Sequence, residues 1–252
     1  MGNESVLCRC SVNSSPSRID LAAFHRHSLV AMSEDTVSKL TLPPPLSTGL
    51  EGFAVWPGLL DEALQRRLVD DIRDVVKQAP LYRPVTPAGR PFSVRMTNCG
   101  PLGWVSDRNG YRYQPHHPQT SRPWPAFPPL LDTIWQLVSG FDGPADACLV
   151  NFYDADARMG LHQDKDEQDF SAPVVSISLG DTAVFRFGSA EGGPTRSVKL
   201  ASGDVCILSG PARLARHGID RILPGTSRLL ASGGRINLTL RRAIGPMDAI
   251  KS

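Results

Sequence analysis

Apolar positions in residues 60–78 recur at helical spacing. Leu64, Leu68, Ile72, Val75 and Val76 share one face, with Arg and Asp side chains opposite. This pattern predicts an amphipathic helix. Asp61 and Glu62 lie near its start, where the helix dipole favours negative charge. A second helix is predicted over residues 129–139, presenting Leu130, Leu131, Ile134, Trp135 and Val138. Between them runs a stretch rich in Pro, Gly and aromatic residues, 80–129, without a sustained period. From residue 145 the pattern changes to short apolar runs at 147–153, 173–179, 183–187, 195–200, 204–208 and 235–242. Gly180-Asp181, Ser202-Gly203 and Gly233-Gly234 punctuate them. Short strands broken regularly by turn residues predict a β-sandwich or jelly roll. Residues 1–48 differ: they are rich in Ser and Thr, lack amphipathic periodicity and end in Leu42-Pro43-Pro44-Pro45. They are expected to form a disordered extension, with folded sequence beginning near Gly49.

Composition narrows the picture. The chain has 252 residues, enough for one sizeable core, and its 22 glycines and 22 prolines exclude a coiled coil or simple helical bundle. No apolar run approaches a bilayer span, so no membrane partner is expected. No apolar segment of signal-peptide type follows the start, and Val6 breaks the myristoylation pattern begun by Met1-Gly2. A net charge of +2 says little, but its distribution says more. Residues 81–127 hold six arginines, no lysine and one acid, Asp107; residues 211–242 hold seven arginines and one acid, Asp220. Two basic stretches suit a polyanionic partner; taken alone they suit scattered solvated arginines equally well. The five cysteines, Cys8, Cys10, Cys99, Cys148 and Cys206, show no disulfide spacing, which predicts a reducing, cytoplasmic compartment. Cys148 and Cys206 sit in strand-like runs and are expected to be buried. The pairs Cys8-Arg9-Cys10 and His25-Arg26-His27 match no common structural zinc pattern.

His162-Gln163-Asp164 is the strongest local chemical signal. In extended chain, residues i and i+2 point the same way, so an imidazole and a carboxylate would converge. His217 returns after several strands. Two histidines and one carboxylate, with positions left open, suit non-haem Fe(II) that must bind a co-substrate and oxygen. Alone, the tripeptide reads more readily as a surface histidine beside a solvated acid. The second signal is the run from Arg235 to Arg241. In a strand, Arg235, Asn237, Thr239 and Arg241 share one face while Ile236, Leu238 and Leu240 take the other. Arginines on an inward face require anionic partners, and a dicarboxylate would satisfy both. A sheet edge with its polar face in solvent is the alternative.

These blocks together resemble the AlkB family of Fe(II)- and 2-oxoglutarate-dependent dioxygenases, which demethylate alkylated nucleobases. The resemblance rests on Asn151-Phe152-Tyr153, the run Leu161 to Glu167, His217-Gly218-Ile219 and Arg235-x-Asn237-Leu238-Thr239-x-Arg241. Upstream, Met96 to Gly100, Leu102-Gly103-Trp104, Pro118-Gln119-Thr120 and Pro123-Trp124-Pro125 are similar to the bacterial branch. It spans about residues 49–242.

The resemblance implies an α+β fold, mainly β, with a double-stranded β-helix (jelly roll) dioxygenase core over residues 146–242. Flanking helices and a nucleotide-recognition lid would occupy residues 49–145, and residues 243–252 would form a C-terminal tail. His162, Asp164 and His217 would ligate Fe(II) as the catalytic centre. Asn151, Tyr153, Arg235, Asn237 and Arg241 would hold 2-oxoglutarate, with Arg235 on its distal carboxylate and Arg241 near the chelating end. Met96, Trp104, Tyr111 and Tyr113 would line the lesion pocket. Asp166 and Glu167 would favour a base made cationic by ring-nitrogen methylation. The reaction implied consumes O2 and 2-oxoglutarate and releases formaldehyde, succinate and CO2. It would repair 1-methyladenine and 3-methylcytosine in single-stranded DNA, with duplex DNA and RNA as further substrates, and the protein would act as a monomer. One departure stands out: the turn Ser189 to Pro194 lacks the arginine that bacterial members carry there, leaving Arg186 or Arg196 to compensate. Competing readings are the same iron chemistry on a protein, lipid or small metabolite, a non-catalytic jelly-roll binding module, and hydrolytic metal chemistry.

Overall fold

The structure is a computed structural model describing residues 42–245. The Cys8–Cys10 and His25–His27 pairs lie outside the described residues, as does most of the predicted N-terminal extension. Thirteen strands are labelled β1 to β13: Leu46–Ser47, Phe53–Trp56, Arg95–Cys99, Gly103–Asp107, Gly110–Gln114, Ala147–Tyr153, Met159–His162, Val174–Gly180, Thr182–Gly188, Thr195–Leu200, Val205–Leu208, Arg216–Leu223 and Arg235–Arg241. Two helices, α1 (Glu62–Gln78) and α2 (Pro129–Val138), complete the frame. Asp61 caps α1, its Oδ1 accepting from the Leu64 amide at 2.8 Å.

A seven-stranded sheet, β1-β2-β11-β8-β13-β6-β3, faces a four-stranded sheet, β10-β9-β12-β7. Strand alternation divides the large sheet's side chains between two cores. From β6, β8, β11 and β13, residues Cys148, Val150, Val175, Ile177, Leu179, Val205, Ile207, Ile236, Leu238 and Leu240 turn outward. They pack there with Leu68, Ile72, Leu131, Ile134 and Trp135 of the helices. The other face turns inward, where Phe53, Met96, Leu149, Val174 and Leu208 meet Phe185, Phe187, Ile219 and Ile222 of the small sheet. This is the predicted jelly roll, and the site lies between its sheets.

Three differences from the sequence expectation have physical causes. The folded chain starts ahead of Gly49: β1 pairs with β2, and the Trp56 indole donates to Pro43 O at 2.9 Å. The segment before residue 146 is no separate appendage, since β2 and β3 are strands of the large sheet. Beyond residue 242, the amides of Ala243 and Ile244 donate to the Asp146 carboxylate at 2.5 and 3.0 Å, so the first tail residues are tied down.

The stretch at residues 80–129 holds strands that lack an apolar alternation. β4 and β5 form a two-stranded ribbon of their own. Asn98 clamps its entry, accepting from the Trp104 amide and donating to Trp104 O, both at 3.0 Å. A Cβ on Gly103 would lie 2.5 Å from the Trp124 ring, so only glycine lets the ribbon leave the sheet here. No helix among the described residues is long and apolar enough to cross a membrane.

Leu238, fully buried between sheet and helices, provides a test of the outer core. Leu238→Ala is expected to lower unfolding free energy by about 2–5 kcal/mol through lost burial and a residual cavity. Urea titration measures it; a change below about 1 kcal/mol would show that this face is loosely packed.

Candidate active site

β7 and β12 pair at the edge of the small sheet, with His162 directly opposite His217. Gly218 permits the approach, because a Cβ there would lie 2.5 Å from Met159 O and 2.7 Å from Gly160 O. Asp164 follows β7 by two residues. Its Oδ1 is 3.7 Å from His162 Nε2 and its Oδ2 is 3.7 Å from His217 Nε2. One ligand atom from each residue lies within 4.8 Å of the others, so the three can grip a common cation. The imidazoles are set for this. His162 Nδ1 lies 2.9 Å from Gly160 O, and His217 Nδ1 lies 2.9 Å from Ala215 O. A carbonyl only accepts, so Nδ1 carries the proton and Nε2 presents its lone pair.

Electrostatics keep the ligands in metal-binding form. Burial opposes ionisation of Asp164, but Arg241 and the two imidazoles outweigh it and hold the carboxyl well below the ordinary range. Burial pulls His217 down to about 4, against the pull of Asp164, so it is neutral at physiological pH.

β13 supplies the co-substrate wall. Arg235, Asn237, Thr239 and Arg241 all line a cavity of about 540 Å³ that also contains the three metal ligands, while Ile236, Leu238 and Leu240 point to the outer core. This is the alternation read from the sequence. Arg235 is buried, and burial pulls its guanidinium down from the ordinary value. One of its nitrogens donates to Ser178 Oγ at 3.0 Å; Nε and Nη1 have no partner. A buried guanidinium with two idle donors is a vacancy for a carboxylate. Asn151 Oδ1 is likewise buried without a partner. Burial pushes the Tyr153 hydroxyl up to about 12, so it remains protonated beside Arg235, whose guanidinium lies 5.4 Å from the ring centroid. Asn237 also faces the cavity, but its amide nitrogen already donates to Ser176 Oγ at 2.7 Å and Ile177 O at 3.1 Å. It shapes the wall and has no spare N–H for a ligand.

Arg241 stands at the opposite end of the strand, donating to Asp164 Oδ2 at 2.7 Å. It thus lies at the metal end, and Arg235 lies remote from it. Glu167 lines the cavity beside this contact, and Tyr113, expected there too, sits behind it. Glu167 is buried 3.1 Å from Arg213 and 3.4 Å from Arg241, and it accepts the Tyr113 hydroxyl at 2.5 Å. Its charge is shared with these two arginines. Tyr113 does not line the cavity; its oxygen also accepts from Arg241 Nη1 at 3.3 Å. Sequence reasoning overlooked Arg213. It donates to Ala172 O and Asp164 O, both at 2.8 Å, and to Glu167, pinning the segment that carries the metal carboxylate. Its signal was a lone arginine among small apolar residues, Ala212-Arg213-Leu214-Ala215.

The remaining predicted residues converge. Met96, Trp104, Tyr111 and Asp166 all line the cavity. Trp104 and Tyr111 stack at 5.7 Å with an interplanar angle of 15°, and the Trp104 indole donates to Asp166 Oδ2 at 2.7 Å. Arg186 and Arg196 do not reach the cavity. Arg186 lies 4.0 Å from Asp220 on the outer side of β9, and Arg196 donates to Gly49 O at 2.9 Å. Cys99, Cys148 and Cys206 are free and buried.

A two-histidine, one-carboxylate triad at the mouth of a jelly roll, beside a buried arginine awaiting an anion, defines an oxygenase that uses iron and a keto-acid. Comparison with known proteins agrees. The model of the 2OG-Fe(II) oxygenase superfamily matches residues 52–241. The alpha-ketoglutarate-dependent dioxygenase AlkB homolog of Caulobacter vibrioides is 59% identical over 197 residues, 78% of this chain and 90% of that protein. The alpha-ketoglutarate-dependent dioxygenase AlkB of Escherichia coli is 45% identical over 70% of this chain and 84% of its own. The solved structure of OsALKBH1 matches with a TM-score of 0.63 at 32% identity, covering 81% of this chain and 99% of that one. The chain belongs to the AlkB family of Fe(II)/2-oxoglutarate-dependent dioxygenases. Fe(II), 2-oxoglutarate and O2 are its cofactor and co-substrates, and the orphan donors of Arg235 and the inward lone pairs of the triad fit the first two.

Two outcomes follow. Arg235→Lys keeps the charge but loses the planar fork, so KM for 2-oxoglutarate should rise about tenfold or more while iron affinity is retained. Succinate release against 2-oxoglutarate concentration measures it; an unchanged KM would remove Arg235 from the co-substrate site. Acid should destabilise the metal-free protein through His217. The unfolded chain takes up this proton near pH 6.5 and the folded chain at about 4. Within that window the unfolded state holds more protons, so stability falls with pH by up to about 1.4 kcal/mol per unit. His217→Gln should flatten that slope in urea titrations at pH 7 and 5.

Proposed function

We propose that this dioxygenase removes N-methyl groups from 1-methyladenine and 3-methylcytosine in single-stranded DNA, with RNA and duplex DNA as further substrates. The observation that carries this reading is the stacked Trp104–Tyr111 pair on the wall of the cavity that holds the metal triad. A base must leave its stack before its methyl reaches a metal centre, and flat side chains hold a flipped base. Met96 supplies an apolar wall beside them. Asp166, exposed and oriented by the Trp104 indole, places a carboxylate where a ring-methylated base carries positive charge.

Bound Fe(II) with 2-oxoglutarate supplies the oxidising chemistry: one oxygen atom of O2 leaves in succinate, with CO2 released, and the other hydroxylates the N-methyl group. The hemiaminal so formed loses formaldehyde: the C–N electron pair returns to the ring nitrogen and the hydroxyl proton passes to solvent. The chain's residues do the positioning. Arg235 and Tyr153 anchor the far carboxylate, Arg241 holds Asp164 ionised, and the aromatic ribbon fixes the methyl toward the triad. The triad and co-substrate wall are complete within one chain, which suits a monomer. Free buried thiols and a ferrous site suit a reducing cytoplasm.

The test is incubation of oligonucleotides bearing 1-methyladenine or 3-methylcytosine with iron, ascorbate and 2-oxoglutarate. Expected is conversion to the parent base with equimolar formaldehyde, faster on single strands because no pairing is broken. His162→Ala should abolish turnover with unchanged circular dichroism. Absence of formaldehyde from every methylated oligonucleotide would sink the reading, as would full activity after loss of all three ligands.

A further inference from the structure

Arg216 is the first residue of β12 and the immediate neighbour of the metal ligand His217. It lines the cavity and is half-buried. Its guanidinium lies against the turn that follows β9. Nε donates to Ser189 O and Nη2 to Gly193 O, both at 3.3 Å. Both partners are neutral carbonyls, at distances long for so strong a donor group. The only acid of that turn, Glu191, is engaged by the Ser189 hydroxyl. Gly192 and Gly193 adopt positive φ, which brings bare backbone beside the guanidinium; a Cβ on Gly192 would lie 3.6 Å from Nη2. Gln163 links the turn to the approach to β12, its amide donating to Ala190 O at 3.5 Å and to Leu214 O at 2.7 Å.

The other arginines near the metal are accounted for, while Lys165 is exposed where it lines the cavity. Arg241 and Arg213 are paired with Asp164 and Glu167, and Arg235 is buried at the far end of the co-substrate wall. Arg216 is therefore an arginine on the cavity wall oriented by carbonyls, with its charge uncompensated by them. An uncompensated guanidinium at such a place suits an anion arriving from solvent, and the planar fork matches a phosphate.

We propose that Arg216 is a specificity-determining residue that binds a backbone phosphate of the nucleic-acid strand next to the flipped nucleotide. This rests on the nucleobase reading above. It makes the enzyme prefer a base within a strand over the same base as a free nucleoside, without acting in the oxidation itself.

The experiment compares wild type, Arg216→Gln and Arg216→Lys on a methylated trinucleotide and on the corresponding methylated nucleoside, across salt concentrations. Gln can still donate to a turn carbonyl but carries no charge; Lys keeps the charge. Arg216→Gln should raise KM for the trinucleotide about 3- to 10-fold, with kcat and KM for 2-oxoglutarate unchanged. The slope of log affinity against log salt should fall by about 0.7, the value for one contact on a single strand. Nucleoside turnover should not change. Arg216→Lys should restore most of the trinucleotide affinity and the salt slope. If Arg216 merely pins the turn, Gln will resemble wild type and Lys will not, or kcat will fall on both substrates; either result overturns the proposal. Wild type that demethylates the trinucleotide while Arg216→Gln keeps its KM and salt slope overturns the phosphate role alone. Wild type that turns over neither substrate overturns the nucleobase reading and this one together.

Discussion

Two guanidiniums buried on the inner face of one strand constrain everything around them. Arg235 and Arg241 project from β13 into the space between the sheets, where an unpaired charge is far costlier than at the surface. The two ends of the strand resolve this in opposite ways. At Arg241 the fold supplies its own anions, and Asp164 and Glu167 close around it. At Arg235 the fold supplies a serine hydroxyl, an aromatic face and nothing anionic within bonding distance, so two donors stay idle. The co-substrate is the missing ion pair. The same strand thus holds the metal carboxylate at one end and recruits the keto-diacid at the other.

Much of this was legible in the residues, because it depends on periods that a strand imposes. The alternation over 235–241 assigned Arg235, Asn237, Thr239 and Arg241 to the inner wall, and the structure places them there. His162 and His217 were recognisable from their motifs, and their cross-strand pairing supplies the convergence. The helices and six of the core strands could be read because each buries one face or two. The strands at Arg95–Cys99 and Arg216–Leu223 could not. β3 buries Thr97 and Asn98, whose polar groups are satisfied by Ala79 O and the Trp104 backbone, and β12 carries Arg216, Asp220 and Arg221. Hydropathy does not register a polar group that finds its partner in the fold.

Some contacts of the site could not be read from sequence position. Asp166 and Glu167 are adjacent in sequence and chemically alike, yet one is exposed beside an indole and the other is enclosed by two arginines and a phenol. Both line the cavity, and what separates them is the set of neighbours that the fold brings to each, which the run itself does not encode. Tyr113 was expected at the pocket wall with Trp104, its cross-strand neighbour. It extends to the Glu167–Arg241 contact instead and becomes a brace behind the wall.

Each imidazole of the triad is oriented by a carbonyl only two residues earlier in its own strand segment. The orientation is therefore local, and the receptor exists before any metal arrives. Such rigidity shortens the path to loading, but it confers no discrimination among divalent ions. Along the Irving–Williams series nickel, copper and zinc outbid ferrous iron for nitrogen-and-oxygen donors of this kind. Which ion resides there consequently depends on the geometry of the open positions and on the metal on offer, and not on the affinity of these donors alone.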